Sequence, residues 1–217
     1  MSQSEISPAT PLSVADVVAV LRAAAPPELA EPWDSNQLIC GDPAEPVASV
    51  LLAVDPVTAV VDEAIERGAD MVITHHPLYL RGTDQVSATD PKGRSVHRLI
   101  RAGIALANAH TTLDAAHGGV AAALAAAVGL LATTPLEPNP LDPTQGIGRV
   151  GGLQTPTRLR DLAVAVAAAL PDSAPGLLVG GDLDATVETV AVSGGAGDSL
   201  LAAARSAGAD AFLTADL

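Results

Sequence analysis

Aromatic side chains are nearly absent: one tryptophan, one tyrosine and one phenylalanine stand in 217 residues. With 48% of the chain hydrophobic, the core must be filled by alanine, valine and leucine, which lets helices approach sheets closely. Cysteine is equally scarce. Cys40 is the only one, so an intrachain disulfide and a thiolate metal cluster are both excluded, and a reducing compartment is the default. Basic residues number 11 against 25 acidic ones, giving a formal charge of −14. No basic patch interrupts this balance, which argues against nucleic acid as a partner. No apolar run reaches spanning length and no basic-then-apolar leader opens the chain, so no membrane partner and a cytoplasmic location are expected.

What the chain does carry is a pattern of alternating strands and helices around Ala69-Asp70-Met71-Val72-Ile73-Thr74-His75-His76-Pro77-Leu78. Met71 to Ile73 reads as a buried strand: it is too short for a helix and partly β-branched. Gly68 closes the helix before it, and Pro77 cannot extend a ladder. His75 and His76 therefore stand at the carboxyl end of a strand, the edge where open α/β sheets bind ligands. Neighbouring histidines there reach two points a few Å apart, which suits two metal ions better than one.

The elements around it follow in order. Residues 1–11 read as a flexible tail. Ser13 opens a helix with Asp16 in a capping-box arrangement, and Pro26-Pro27 ends it. Glu31 to Asn36 is a polar loop whose Trp33 reads as a packing anchor, or as a pocket wall beside Asp34. Val47 to Val54 is a strand and Val57 to Arg67 a helix, so the histidine strand completes a parallel β-α-β unit. A loop over 79–93, a helix over 95–102 and a strand over 104–107 lead into Asn108-Ala109-His110-Thr111-Thr112-Leu113-Asp114. An alanine-rich helix from Gly118-Gly119 to Val128 closes a first lobe, 12–130.

Residues 131–148 hold four prolines and read as a linker. The second lobe, 149–217, is expected to hold a helix over 159–170, short strands at 177–179 and 187–192, a helix over 199–206 and a strand over 208–214. A shift of 140 lays Val190 on Val50, Gly208-Ala209-Asp210 on Gly68-Ala69-Asp70 and Thr214 on Thr74 without a gap, which predicts a structural duplication. The fold class expected is α/β: two similar lobes with mostly parallel sheets flanked by helices.

His110 and Asp114 follow a strand parallel to the histidine strand, so both fall on the same sheet edge. Imidazole and carboxylate donors suit zinc, iron, manganese, cobalt or nickel. Asp114 reads as a ligand or as a helix N-cap, and His110 as orienting a ligand rather than binding metal itself. His97 and His117 read as solvent-facing. Gly194-Gly195-Ala196-Gly197 reads equally as an anion cradle or a tight turn. No Walker, Rossmann or nucleophile-elbow motif is present.

Taken together, Trp33-Asp34-Ser35-Asn36, Gly41-Asp42, Thr74-His75-His76-Pro77-Leu78, Ala109 to Asp114, Gly118-Gly119-Val120, Gly148-Arg149-Val150-Gly151, Ser193 to Gly197 and Gly208-Ala209-Asp210 with Thr214 to Leu217 resemble the Nif-three-like family. Its members are often labelled GTP cyclohydrolase I type 2 homologs. The resemblance runs from about residue 12 onward; Asn36-Gln37 departs from the family's usual Val-Gly. It implies a two-lobed α/β fold, a toroidal homohexamer and a dinuclear centre of two divalent ions, with His75, His76 and Asp114 as ligands. Family members carry a further His and Glu, spaced His-x-x-x-Glu, beyond the stretch matching Thr214 to Leu217. On the resemblance, this sequence lacks half of the expected ligand set and should bind metal weakly. The reading is a metal-dependent hydrolase of a nucleotide or other phosphorylated small molecule, with His110 as its proton carrier. Its rival is a non-catalytic hexameric scaffold or adaptor that binds a protein partner.

Overall fold

The computed structural model describes residues 11–215. Its elements fall into two compact units. The first holds the described residues to Ala24 and Ala30–His110; the second holds Ala25–Leu29 and the described residues from Thr111.

In the first unit, β1 (Leu12–Ser13) leads into α1 (Val14–Ala24). Ser13 and Asp16 form the expected reciprocal cap: the Ser13 N–H donates to the Asp16 carboxylate at 2.8 Å, and the Asp16 N–H to the Ser13 hydroxyl at 3.2 Å. Next come β2 (Leu38–Cys40), β3 (Pro46–Val47), β4 (Val50–Ala53), α2 (Thr58–Arg67), β5 (Met71–Thr74), α3 (Pro91–Ala102) and β6 (Ala105–Asn108). The main sheet has the order β2-β6-β5-β4, with β4, β5 and β6 parallel and β2 antiparallel at the edge. Val61 and Ala64 of α2 and Val96 and Leu99 of α3 pack on one face with Val72 and Leu106. Val14, Val17 and Val18 of α1 pack on the other with Met71 and Ala105. Adjacent strand residues thus serve opposite layers, and each fully buried aliphatic side chain contributes about 1.5–3 kcal/mol.

Two details refine the expected elements. The strand expected over 47–54 breaks at Ala48-Ser49, where both N–H groups turn to the Asp70 carboxylate, each at 2.8 Å. Helix α3 starts four residues earlier than expected because Asp90 caps it and Pro91 fits the first turn, where an N–H would be unpaired anyway.

The second unit opens with a short 3₁₀ turn (Pro27–Leu29), then α4 (Thr111–Ala115), α5 (Val120–Ala127), β7 (Leu131–Pro138), β8 (Gly146–Arg158), α6 (Leu159–Ala169), β9 (Thr186–Val192), α7 (Leu201–Ser206) and β10 (Ala211–Leu213). Its sheet runs β10-β9-β8-β7. Only β10 and β9 are parallel; β8 is antiparallel to both its neighbours. The mostly parallel expectation therefore holds for the first unit and not for the second. The cause is the stretch 131–148, expected as a linker, which forms a hairpin. Its prolines 135 and 138 lie in β7, an edge strand, where a missing N–H does not cost a ladder bond. The unit boundary also moves, from about residue 130 to His110, because Ala125 and Leu130 join Leu162, Val166, Val187 and Val190 in the second core. Residues 177–179, expected as a strand, form none.

The 140-residue offset reappears in three dimensions. Val50 pairs with Met71 and Leu52 with Ile73; Val190 pairs with Ala211 and Val192 with Leu213. Asp70 accepts from the N–H groups of residues 48 and 49, and Asp210 from those of residues 188 and 189, at 2.9 Å each. Gly68 and Gly208 both adopt left-handed φ, +63° and +74°. The expected tail over 1–11, apart from residue 11, and the match of His76 to Asp216 lie outside the described residues. Among the described residues no helix is long and apolar enough to cross a membrane.

Candidate metal centre

The parallel register of the first sheet builds the site. Thr74 of β5 lies opposite Ala53 of β4 and Asn108 of β6, so the residues just past these three strand ends share one edge. Pairing persists beyond the strands: the N–H groups of His75 and His76 donate to the carbonyls of Ala53 and Val54, and that of Ala109 to Thr74. The Thr74 hydroxyl, fully buried, donates to the His76 carbonyl at 2.7 Å and fixes the turn ahead of Pro77.

His75, His76 and His110 converge. One ring nitrogen from each lies within 4.8 Å of the other two, and all three rings are half-buried. Each Nδ1 faces an oxygen acceptor. His75 Nδ1 lies 3.1 Å from the Ala109 carbonyl, His76 Nδ1 lies 2.7 Å from Asp55 Oδ1, and His110 Nδ1 lies 2.7 Å from Asp34 Oδ1. These acceptors select the Nδ1–H tautomer and put each lone pair on Nε2. An imidazole oriented by a carbonyl or carboxylate behind it is how proteins prepare histidine for a metal. Bonds of about 2 Å from an ion to nitrogen place neighbouring ligand atoms about 3 Å apart, so small ring rotations suffice to close the group on one ion. The residues present therefore fit a borderline divalent metal: the cluster could bind such an ion.

The two carboxylates differ. Asp34 has no exposed side-chain surface and His110 only 16%, whereas His76 and Asp55 are 46% and 55% exposed. The Asp34–His110 pair thus keeps its geometry in a less screened environment. Asn36 braces it, donating from Nδ2 to Asp34 at 2.6 Å and accepting the His110 N–H on its side-chain oxygen. Of the two readings of Trp33, packing anchor and pocket wall, its exposure removes the first. Trp33 is 57% exposed and meets the His110 ring edge-on at 5.8 Å, walling the cluster.

Asp114 stands on α4, four residues along the chain from His110 and the first helix after the unit boundary. It is not the N-cap of α5; that position belongs to Gly119. A side chain on Gly119 would run into the Leu113 carbonyl at 1.8 Å, so the α4–α5 turn requires glycine there. The glycine-rich turn packs tightly as well: a Cβ on Gly194 would meet Val120 at 2.6 Å and lie 3.8 Å from Asp114 Oδ1, and one on Gly197 would meet Thr214 at 2.4 Å. Close packing accounts for two of its glycines. His97 lies on exposed helix surface with Nε2 on the Val86 carbonyl, and the His117 backbone N–H donates to Gln145.

Asp34 and Asp55, which face His110 and His76, are residues to which the sequence reading gives no role. A signal exists for Asp55. It follows β4 as His76 follows β5, and parallel pairing of Ala53 with Thr74 sets the two side by side. Asp34 stands in the Trp33 to Asn36 motif, but its pairing with His110 spans 76 positions and has no local signal.

A family model described as Duf34/NIF3 (NGG1p interacting factor 3) matches residues 12–217. The chain belongs to the DUF34/NIF3 family. A Streptomyces coelicolor relative named GTP cyclohydrolase 1 type 2 homolog is 52% identical over 206 residues, covering 94% of this chain and 72% of its own length. A Mycobacterium tuberculosis relative of the same name is 34% identical over 310 aligned residues, covering 94% and 81%. Among solved structures, a Bacillus cereus protein related to NIF3 matches with a TM-score of 0.86 at 25% identity, over 96% of this chain and 83% of that one. Staphylococcus aureus hypothetical protein SA1388 matches with 0.85 at 27%, over 96% and 80%. This DUF34/NIF3 chain therefore carries its three-histidine cluster on the fold shared by those proteins.

Proposed function

We propose that the chain is a divalent-metal-dependent hydrolase acting on a nucleotide or another phosphorylated small molecule. The names of its relatives supply the nucleotide, and the cluster supplies the chemistry. One observation carries the reading: three imidazoles converge on one sheet edge, each with Nδ1 held by an oxygen acceptor. In this reading His75, His76 and Asp114 hold the metal, which is zinc, iron, manganese, cobalt or nickel, in a two-ion centre. The full assembly is a homohexamer.

A bound divalent ion supplies Lewis acidity at the reacting bond. The protein's own groups supply the rest. Asp34 holds the Nδ1–H of His110, so Nε2 is the basic face; it takes a proton from an attacking water and returns one to the leaving group. Asp34 also stabilises the imidazolium formed in between. Trp33 shields one side of the ring from bulk water.

The test is elemental analysis of the purified chain, followed by a hydrolysis screen of GTP and other nucleotides with each candidate metal. Metal present but weakly held, and turnover that a chelator abolishes and metal restores, are expected. His110→Gln should keep its metal while kcat falls by about 10²–10⁴-fold. Loss of metal in that variant would instead make His110 a ligand. Metal binding without turnover on any nucleotide or phosphate ester would overturn the hydrolase reading and leave the scaffold alternative. Sedimentation of the same sample gives the oligomeric state.

A further inference from the structure

A cleft of about 360 Å³ borders His76 within the first unit, and nothing above uses it. Val57, Pro77 and Pro91 are the apolar residues that line it; Thr58, Lys92 and His76 are polar ones. We propose that this cleft seats the phosphate-bearing end of the substrate, with the Lys92 ammonium as the specificity-determining contact. The proposal rests on the hydrolase reading above, and adds which side of the cluster the substrate occupies.

Three observations carry it. The first is continuity: His76 belongs both to the cluster and to the cleft lining, so a molecule in the cleft lies next to the cluster. The second is the state of the charges around it. Asp55 also borders the cleft, but its carboxylate already accepts from His76 Nδ1. Asp90 is engaged by the N–H groups of Lys92 and Gly93 at the start of α3. The ammonium of Lys92 pairs with neither and stands 5.7 Å from the Tyr79 ring centre, a weak contact that leaves its donors for an anion. The third is residue choice. Lys92 is the only lysine in the sequence, and the other ten cationic side chains are arginine. A lysine ammonium is a compact point charge on a flexible stem, which binds phosphate without demanding the planar, forked geometry of guanidinium. Apolar walls with one placed charge are the usual make-up of a small-molecule site.

Because the lysine is unique, labelling the protein with ¹³Cε-lysine gives a single NMR signal that reports on the cleft and needs no assignment. Chelator-treated protein is titrated with GMP and, in parallel, with guanosine. A saturable shift with GMP and little or none with guanosine is expected. By equilibrium dialysis Lys92→Met should weaken GMP binding about tenfold or more, while Lys92→Arg, which keeps the charge, should stay within about threefold. Val57→Trp, filling the cleft, should abolish the shift; if that variant does not fold, Lys92→Met decides alone. An unmoved lysine signal at millimolar GMP, or native affinity in Lys92→Met, overturns the assignment. Metal-dependent nucleotide hydrolysis persisting beside an unmoved signal removes the cleft and spares the hydrolase. A shifted signal with no metal-dependent hydrolysis does the reverse.

Discussion

Residues 50–74 and 190–214 follow the same course and end differently. Both run strand, turn, helix, left-handed glycine, aspartate and strand, with identical register between the paired strands. In the first, the chain leaves the sheet as His75-His76, and neighbouring strands bring His110, Asp55 and Asp34 to the same edge. In the second, Thr214 is followed by Ala215, and the Thr214 hydroxyl is taken up by the Gly195 carbonyl at 2.8 Å. The strands also meet different neighbours. β4 is an edge strand with Val50 and Leu52 exposed, whereas β9 is flanked on both sides and buries Val190, Ala191 and Val192. The shared β-α-β geometry is scaffolding, and the proposed chemistry depends on what each stretch carries at its strand ends.

The largest effect should follow from removing that attachment. The double change His75→Ala with His76→Ala is expected to reduce metal affinity by more than about 100-fold, read by metal titration, because two of the three proposed ligands are gone. Ala215→Ser, at the corresponding place in the second copy, should leave metal content unchanged. Equal metal loss in both would break the asymmetry.

The next effect tests the support behind His110. Asp34→Asn is nearly isosteric but loses the charge that holds the His110 Nδ1–H. A fall of about 10–100-fold in metal-dependent turnover is expected, with metal affinity kept and little change in the unfolding transition. Unchanged turnover would show that Asp34 does not act on His110.

Asp70 and Asp210 should behave alike. Backbone N–H groups donated to each carboxylate hold its pKa below the ordinary aspartate value, from Ala48 and Ser49 for Asp70 and from Thr189 and Glu188 for Asp210. A carboxyl whose pKa is depressed by folding adds stability that is present above the unfolded pKa, near 4, and is lost as pH falls through the lower folded value. Urea midpoints measured from pH 6 to pH 2.5 should fall at acid pH in the native chain, and less so in Asp70→Asn or Asp210→Asn. At neutral pH each variant should lose about 1 kcal/mol, screened because both sites are close to solvent. A large effect from one and none from the other would show that the shared geometry does not carry equal energy.

The smallest effect concerns the two helix ends. At φ of +63° and +74°, with open space around both, Gly68→Ala and Gly208→Ala should each cost about 1 kcal/mol from backbone strain alone. Matched shifts in denaturant midpoint sharpen the comparison; a gain in stability from either would contradict the strain argument.

Local signals made much of the fold legible. The Ser13–Asp16 cap, the break at Gly68 and the β-branched run before His75 depend on near neighbours, and all lie where sequence places them. The hairpin over 131–148 was hidden because its prolines signal a loop unless the strand is known to be an edge, and edge status is set by the sheet. The packing-anchor reading of Trp33 failed for a similar reason: a large ring suggests burial, but its loop carries it to the rim of the cluster, as the pocket-wall reading has it.

By itself the sequence determined that His75 and His76 leave a buried strand together, that His110 leaves another, and that a 140-residue offset relates two β-α-β stretches. These follow from period, capping and spacing, which act within a few residues. Only the tertiary structure decided that Asp34 and Asp55 stand behind His110 and His76, that α5 joins the second core, and that Lys92 lines a cleft with His76. Those contacts join positions 16 to 76 residues apart, and such pairings are fixed by which hydrophobic faces are buried together, a choice the whole chain makes at once.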